Sequence, residues 1–104
     1  MVVKWFVKAV RHWTEMQDYC IAQFGTNIAL KSAEKVDAQL QVLMKYPYRG
    51  TPEPLLNKER IIYRSVHIHK KIKLIYKVDD KQGIIYVVVF WNTDMLPKNL
   101  IQRD

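Results

Sequence analysis

"KIKLIYKVDDKQGIIYVVVFW", Lys71 to Trp91, is the stretch on which the fold turns. In its first part Ile72, Leu74, Tyr76 and Val78 alternate with Lys71, Lys73 and Lys77, the period of two that marks a strand with one face buried and one open. "DDKQG", Asp79 to Gly83, supplies turn residues. Beyond it "IIYVVVFW", Ile84 to Trp91, is apolar on both alternations, as suits a strand buried in the middle of a sheet.

Upstream, "RIIYRSVHI", Arg60 to Ile68, reads as a similar but less regular strand. A tight turn at His69 and Lys70 would place Arg64, Val66 and Ile68 on the open face with Lys71 and Lys73, and would set Arg64 diagonally from Lys73. A slip of one residue reverses those faces. Before this strand, the loop from Pro47 to about Lys58 opens as "PYRGTPEP", too rich in proline for regular hydrogen bonding, so contacts must order it. It holds the acid Glu53 between Pro52 and Pro54 in a chain of formal net charge +7.

The first part of the chain changes period. "VVKWFV", Val2 to Val7, is short, β-branched and aromatic, which suits a strand. From Lys8 to Phe24, Ala9, Trp13, Met16, Cys20 and Phe24 recur at the spacing of one helix face, and Gly25 is a natural stop. Thr26 or Asn27 can cap a second helix whose Ala29, Ala33, Val36, Leu40 and Leu43 repeat that spacing until Tyr46 and Pro47 end it. The order β-α-α-β-β-β, without an internal repeat, predicts an α+β fold. Two antiparallel helices pack on one face of a mainly antiparallel twisted sheet. At 104 residues the chain is expected to form a single domain, 1–104.

Composition narrows the class. Lys4, Lys8 and Arg11 interrupt the apolar start, and the longest apolar run, Ile84 to Trp91, is too short to span a bilayer, so no membrane association and a cytoplasmic location are expected. Lone Cys20 has no partner for an internal disulfide and sits at helical spacing among Trp13, Met16 and Phe24, as a small core residue would. Lys58, Arg60, Arg64, Lys70, Lys71, Lys73 and Lys77 are opposed in their stretch only by Glu59, a cationic patch that calls for an acidic partner, with nucleic acid first and an acidic protein second. His67 and His69 have no acidic or cysteine companion at metal-ligand spacing, so neither a metal nor another cofactor is expected. Trp5, Trp13 and Trp91 read as core, and "PKNLIQRD", Pro97 to Asp104, as a short helix or cover.

These residues in this order carry a resemblance. Trp5 in the first strand, a helix ending in "FG", "YPYRG", "YRS", "KLIYKV", "IIYVVVFWNT" and "PKNL" together resemble the RelE/ParE superfamily of bacterial toxins over nearly the whole chain. The resemblance implies the toxin of a type II toxin-antitoxin pair, neutralised by a cognate acidic, partly disordered antitoxin. RelE-like and YoeB-like members cut messenger RNA on the ribosome without a metal, whereas ParE-like members inhibit DNA gyrase without catalysis. "TPEPL" looks like the YoeB-like loop whose glutamate is the general base, a role that falls on Glu53. Lys73 stands one before "LIY", where the nucleases resemble one another in carrying arginine, and Arg64 where RelE-like members carry a basic residue, so both are implied as phosphate contacts in catalysis. Lys71, Arg60, His67 and Asn92 complete the implied substrate-binding set.

One departure matters. Asn92 stands about where relatives carry Asp or His, and Asp94 where Arg is common; the first cannot act as an acid and the second repels phosphate. The expectation is therefore a weakly active, ribosome-associated messenger-RNA endonuclease. The alternatives are a gyrase-inhibiting toxin without catalysis, which the departure favours, and an inactive relative that keeps only antitoxin binding.

Overall fold

β-branched "VVKW" starts the chain in a strand, β1 (Val2–Trp5), in a computed structural model that describes residues 1–54, 56 and 61–93. Phe6 still donates its N–H to the carbonyl of Val87, at 2.9 Å, while its own carbonyl already accepts from Val10 at 3.1 Å. That change of partner ends the strand and opens α1 (Val7–Phe24), so β1 stops short of the Val2 to Val7 strand expected from the sequence. Gly25, at φ 92°, reverses the chain in a single residue, a conformation that costs glycine little, and α2 (Thr26–Lys45) returns beside α1.

The remaining elements are β2 (Thr51–Pro52), β3 (Arg64–His67), β4 (Ile72–Asp79) and β5 (Ile84–Asn92). The sheet order is β1-β5-β4-β3-β2, with β1 parallel to β5 and every other pair antiparallel. The architecture is the expected two helices on one face of a mainly antiparallel sheet. β2 is an addition: two residues of the proline loop join the edge of the sheet. β3 is shorter than Arg60 to Ile68.

Helix-side packing follows the period-four and period-two residues. Ala9 of α1 and Val36, Leu40 and Leu43 of α2 meet Leu74, Tyr76, Ile85, Val87 and Phe90 of the sheet, with Trp5 and Trp13 packed against them. The opposite face is not an open lysine surface. Ile75, Val88, Val89 and Trp91 form a second apolar cluster there, covered by Leu56 and Tyr63 from the loop and flanked by Phe6 and Tyr86. A bulge between Ile75 and Tyr76 makes this possible: Ile75 faces Val89 and Tyr76 faces Val87, leaving Val88 as the extra residue.

The β3–β4 register differs from the expectation by one residue. His67 pairs with Lys73, Val66 with Leu74, Ser65 with Ile75 and Arg64 with Tyr76. The connection is a wider loop in which both Ile68 and His69 donate their N–H to Ile72, at 2.9 and 3.2 Å. The physical reason is burial: this register sends Val66 and Ile68 to the helix side with Ile72 and Leu74, whereas a tight His69–Lys70 turn would have put them beside lysines. Arg64 consequently lies on the alternation opposite to Lys73, and His67 and His69 do not share a side.

Candidate functional site: the Glu53 loop and its lysine

The loop after α2 is tied to the sheet at its backbone before any side chain is considered. Thr51 pairs with Ser65 and Pro52 with Arg64. Glu53 donates its N–H to Tyr63 at 2.9 Å, and its carbonyl accepts from Leu56 at 3.0 Å. These bonds turn the Glu53 side chain in over the sheet, on the face of Ser65 and Lys73. There its Oε1 accepts from Ser65 Oγ at 2.5 Å and from Lys73 Nζ at 2.6 Å. Glu53 is only 8% exposed.

Burial works against ionisation of Glu53, but the hydrogen bonds from Lys73 and Ser65, with the charges of Lys73 and His67, outweigh it and hold the carboxyl below the ordinary glutamate value. Lys73 is equally committed, with its ammonium 5.2 Å from the centre of the Trp91 ring as well as on the carboxylate. A group that must take a proton at neutral pH works best with a pKa near the working pH and a free lone pair facing the substrate. Glu53 has moved the other way on the first count, and one of its oxygens already holds two donors.

The other sequence-derived site residues are dispersed. Arg64 donates from one guanidinium nitrogen to the carbonyls of Gly50, at 2.9 Å, and Tyr48, at 3.3 Å, and its guanidinium lies 5.1 Å over the Tyr48 ring. Its side chain belongs to the sheet edge around residues 48–50, on the alternation opposite to Ser65 and Lys73, which hold Glu53. His67 is exposed opposite Lys73. Lys71 is exposed in the β3–β4 connection, where its carbonyl accepts from Thr93 at 2.9 Å. Asn92 ends β5 opposite Ile72. Arg60, Asp94 and the Pro97 to Asp104 cover lie outside the described residues.

Ser65 is the residue that sequence reasoning missed, and Tyr76, read from the sequence as an inward-facing strand residue, also holds the loop. Ser65 lies inside "YRS", and the correct register alone would have put it on the Lys73 face. Tyr76, fully buried, donates its hydroxyl to the Pro47 carbonyl at 2.7 Å and accepts the Gly50 N–H at 2.9 Å, so it anchors the front of the same loop. Among the described residues no group of three or more His, Cys, Asp or Glu side chains is placed to hold a metal ion. Nor is any described helix long and apolar enough to cross a membrane.

Comparison with known proteins adds the family. A family model described as the ParE toxin of the type II toxin-antitoxin system parDE matches residues 3–97. Among solved structures, a chain described as the chromosomal ParDE TA system from P. aeruginosa superposes with a TM-score of 0.68 at 18% identity, covering 88% of this chain and 95% of that one. No curated protein matches.

Proposed function

The chain belongs to the ParE toxin family of type II toxin-antitoxin systems, and from that membership we propose a toxin that acts by binding DNA gyrase and leaves RNA uncut. The observation that carries this reading is the state of Glu53: buried, ionised below the ordinary range, and holding Ser65 and Lys73 on one oxygen. In that state it is a strut. It fastens the proline loop across the sheet and occupies the cation that a nuclease would aim at phosphate. Separation of Arg64 from the pair supports the same view, since stabilising a phosphorane calls for cations converging on one point. Asn92 offers no acid for a leaving oxygen.

The partner that restrains this toxin is an acidic antitoxin. Charge complementarity with a chain of formal net charge +7 supports rapid, steered association. Induced expression in cells tests the proposal: gyrase-dependent DNA breaks should accumulate while mapped transcript ends stay unchanged, and Glu53→Gln should remain toxic wherever it remains folded. The 2.6 Å Glu53–Lys73 contact is also what a base and its neighbouring cation would show in a nuclease. Ribosome-dependent cuts that vanish in Glu53→Gln, without DNA breaks, would refute gyrase binding and restore the nuclease reading.

A further inference from the structure

Away from Glu53, beside the β4–β5 turn, lies a groove of about 460 Å³ lined by two cation–aromatic pairs. One is Arg64 over Tyr48, at 5.1 Å. The other is Lys77, whose ammonium lies 5.6 Å from the Tyr86 ring and 5.1 Å from Phe6. Tyr48 is 51% exposed, and the groove's apolar lining, Ile61 and Ile62, is 44% and 53% exposed, so an incoming flat ring finds both a stacking face and apolar surface.

The groove's described lining carries three cations, Arg64, Lys77 and Lys81, against two acids, each of which accepts a bond from a neutral donor. Asp80 accepts the Tyr48 hydroxyl, and Asp79 Oδ1 accepts the Gln82 N–H at 3.2 Å. Among the described residues Lys77, which rests on rings, and Lys81 have no carboxylate within ion-pair distance, and Arg64 uses one nitrogen on carbonyls and keeps its remaining N–H donors. Lys4 adds charge on the same sheet face, directly opposite Tyr86 across the β1–β5 pair.

We infer that this groove binds a nucleotide unit, a planar base with its phosphate, the base stacking at Tyr48–Arg64 and the phosphate held by Lys77 and Lys81. Aromatic and guanidinium planes interleaved with ammonium groups are the combination that takes both halves of such a unit. A carboxylate side chain of an acidic peptide would use the charges and leave the stacking faces idle. The unit can come from a free nucleotide or from a nucleic-acid strand. The inference stands whether or not gyrase is the target, because it uses neither Glu53 nor Lys73.

The test uses the purified full chain, a fluorescent N-methylanthraniloyl AMP and a fluorescein-labelled oligodeoxythymidylate. Saturable binding of at least one probe is expected. The strand alone binding identifies a strand site, and AMP competing with the strand identifies a site that accepts free nucleotide as well. Lys77→Gln with Lys81→Gln should raise the Kd of the bound probe about tenfold, since cations that meet a phosphate set its affinity. Tyr48→Ala should weaken binding about fivefold or more by removing a stacking ring. Tyr48→Phe keeps that ring, drops the bond to Asp80, and should leave the Kd within about twofold. Thermal melts of each variant separate loss of binding from loss of fold. The inference is overturned if neither probe saturates, if the folded double variant binds as the parent does, or if a polyglutamate peptide binds as tightly as the nucleotide probes.

Discussion

Pro52 and Pro54 hold Glu53 in a stiff frame, and the side chain so held meets one hydroxyl and one ammonium. The stiffness reduces the entropy lost in placing a charge in a buried position, and the two donors offset its desolvation. Glu53→Gln leaves Lys73 without its counter-charge and should cost about 1.5–3 kcal/mol, the range for hydrogen bonds to charged groups, readable as a lower urea midpoint at neutral pH. The sign with pH follows from the lowered carboxyl. Its contribution is complete above the unfolded glutamate value of about 4.3 and is lost as pH falls through the still lower folded value. The stability gap between parent and Glu53→Gln should therefore hold from neutral pH to about 5 and begin to narrow as pH falls below the unfolded value of about 4.3. A gap that widens on acidification would show that Glu53 is not held ionised by its partners.

As an element, the loop from Pro47 to Glu53 is secured at both ends, by Tyr76 at the front and by Ser65 and Lys73 at the back. Gly50 sits against the tyrosine: a Cβ there would meet Tyr76 Oη at 2.5 Å and the Ser65 carbonyl oxygen at 2.9 Å, and the second contact is backbone that has little room to move. Gly50→Ala should thus destabilise by about 1–3 kcal/mol, the range for overpacking. Tyr76→Phe keeps the packing but strands the Gly50 N–H and the Pro47 carbonyl, at a cost of about 1–3 kcal/mol. Both are measured by thermal or chemical melts. If the two hold the same loop, their combination should cost less than the separate effects added, because the second change removes a contact the first has already loosened.

Across the whole molecule, β1 runs parallel to β5 and so joins the first residues of the chain to its most buried strand. Trp5 from β1 and Trp13 from α1 both lean on Phe90 of β5, with ring centres 5.5 and 5.4 Å apart. Sheet and helices therefore share one aromatic contact. Trp5→Ala, at a half-buried position, should cost about 2–3 kcal/mol, below the range for a fully buried tryptophan. For the same reason tryptophan fluorescence, which reports this junction through Trp5 and Trp13 and the opposite face of the sheet through Trp91, and far-ultraviolet dichroism, which reports the helices, should give coincident unfolding curves. Separate midpoints would mean that the helical hairpin and the sheet come apart independently.

The element order, the two helices with their glycine reversal, the central "IIYVVVFW" strand and the charge of the chain were legible in the sequence, because periodicity and turn chemistry are local properties of neighbouring residues. The superfamily could be read as well, from the order of short motifs. The β3–β4 register could not: a two-residue turn and a wider one satisfy the same local pattern, and the choice falls to the helix-side core, which buries Ile68 and takes Val66 against its edge. That choice moved Arg64 away from Lys73 and brought Ser65 to Glu53. Whether a carboxylate is a base or a strut depends on what donates to it, and donors that lie 12 and 20 residues further along the chain meet it only once the sheet has formed.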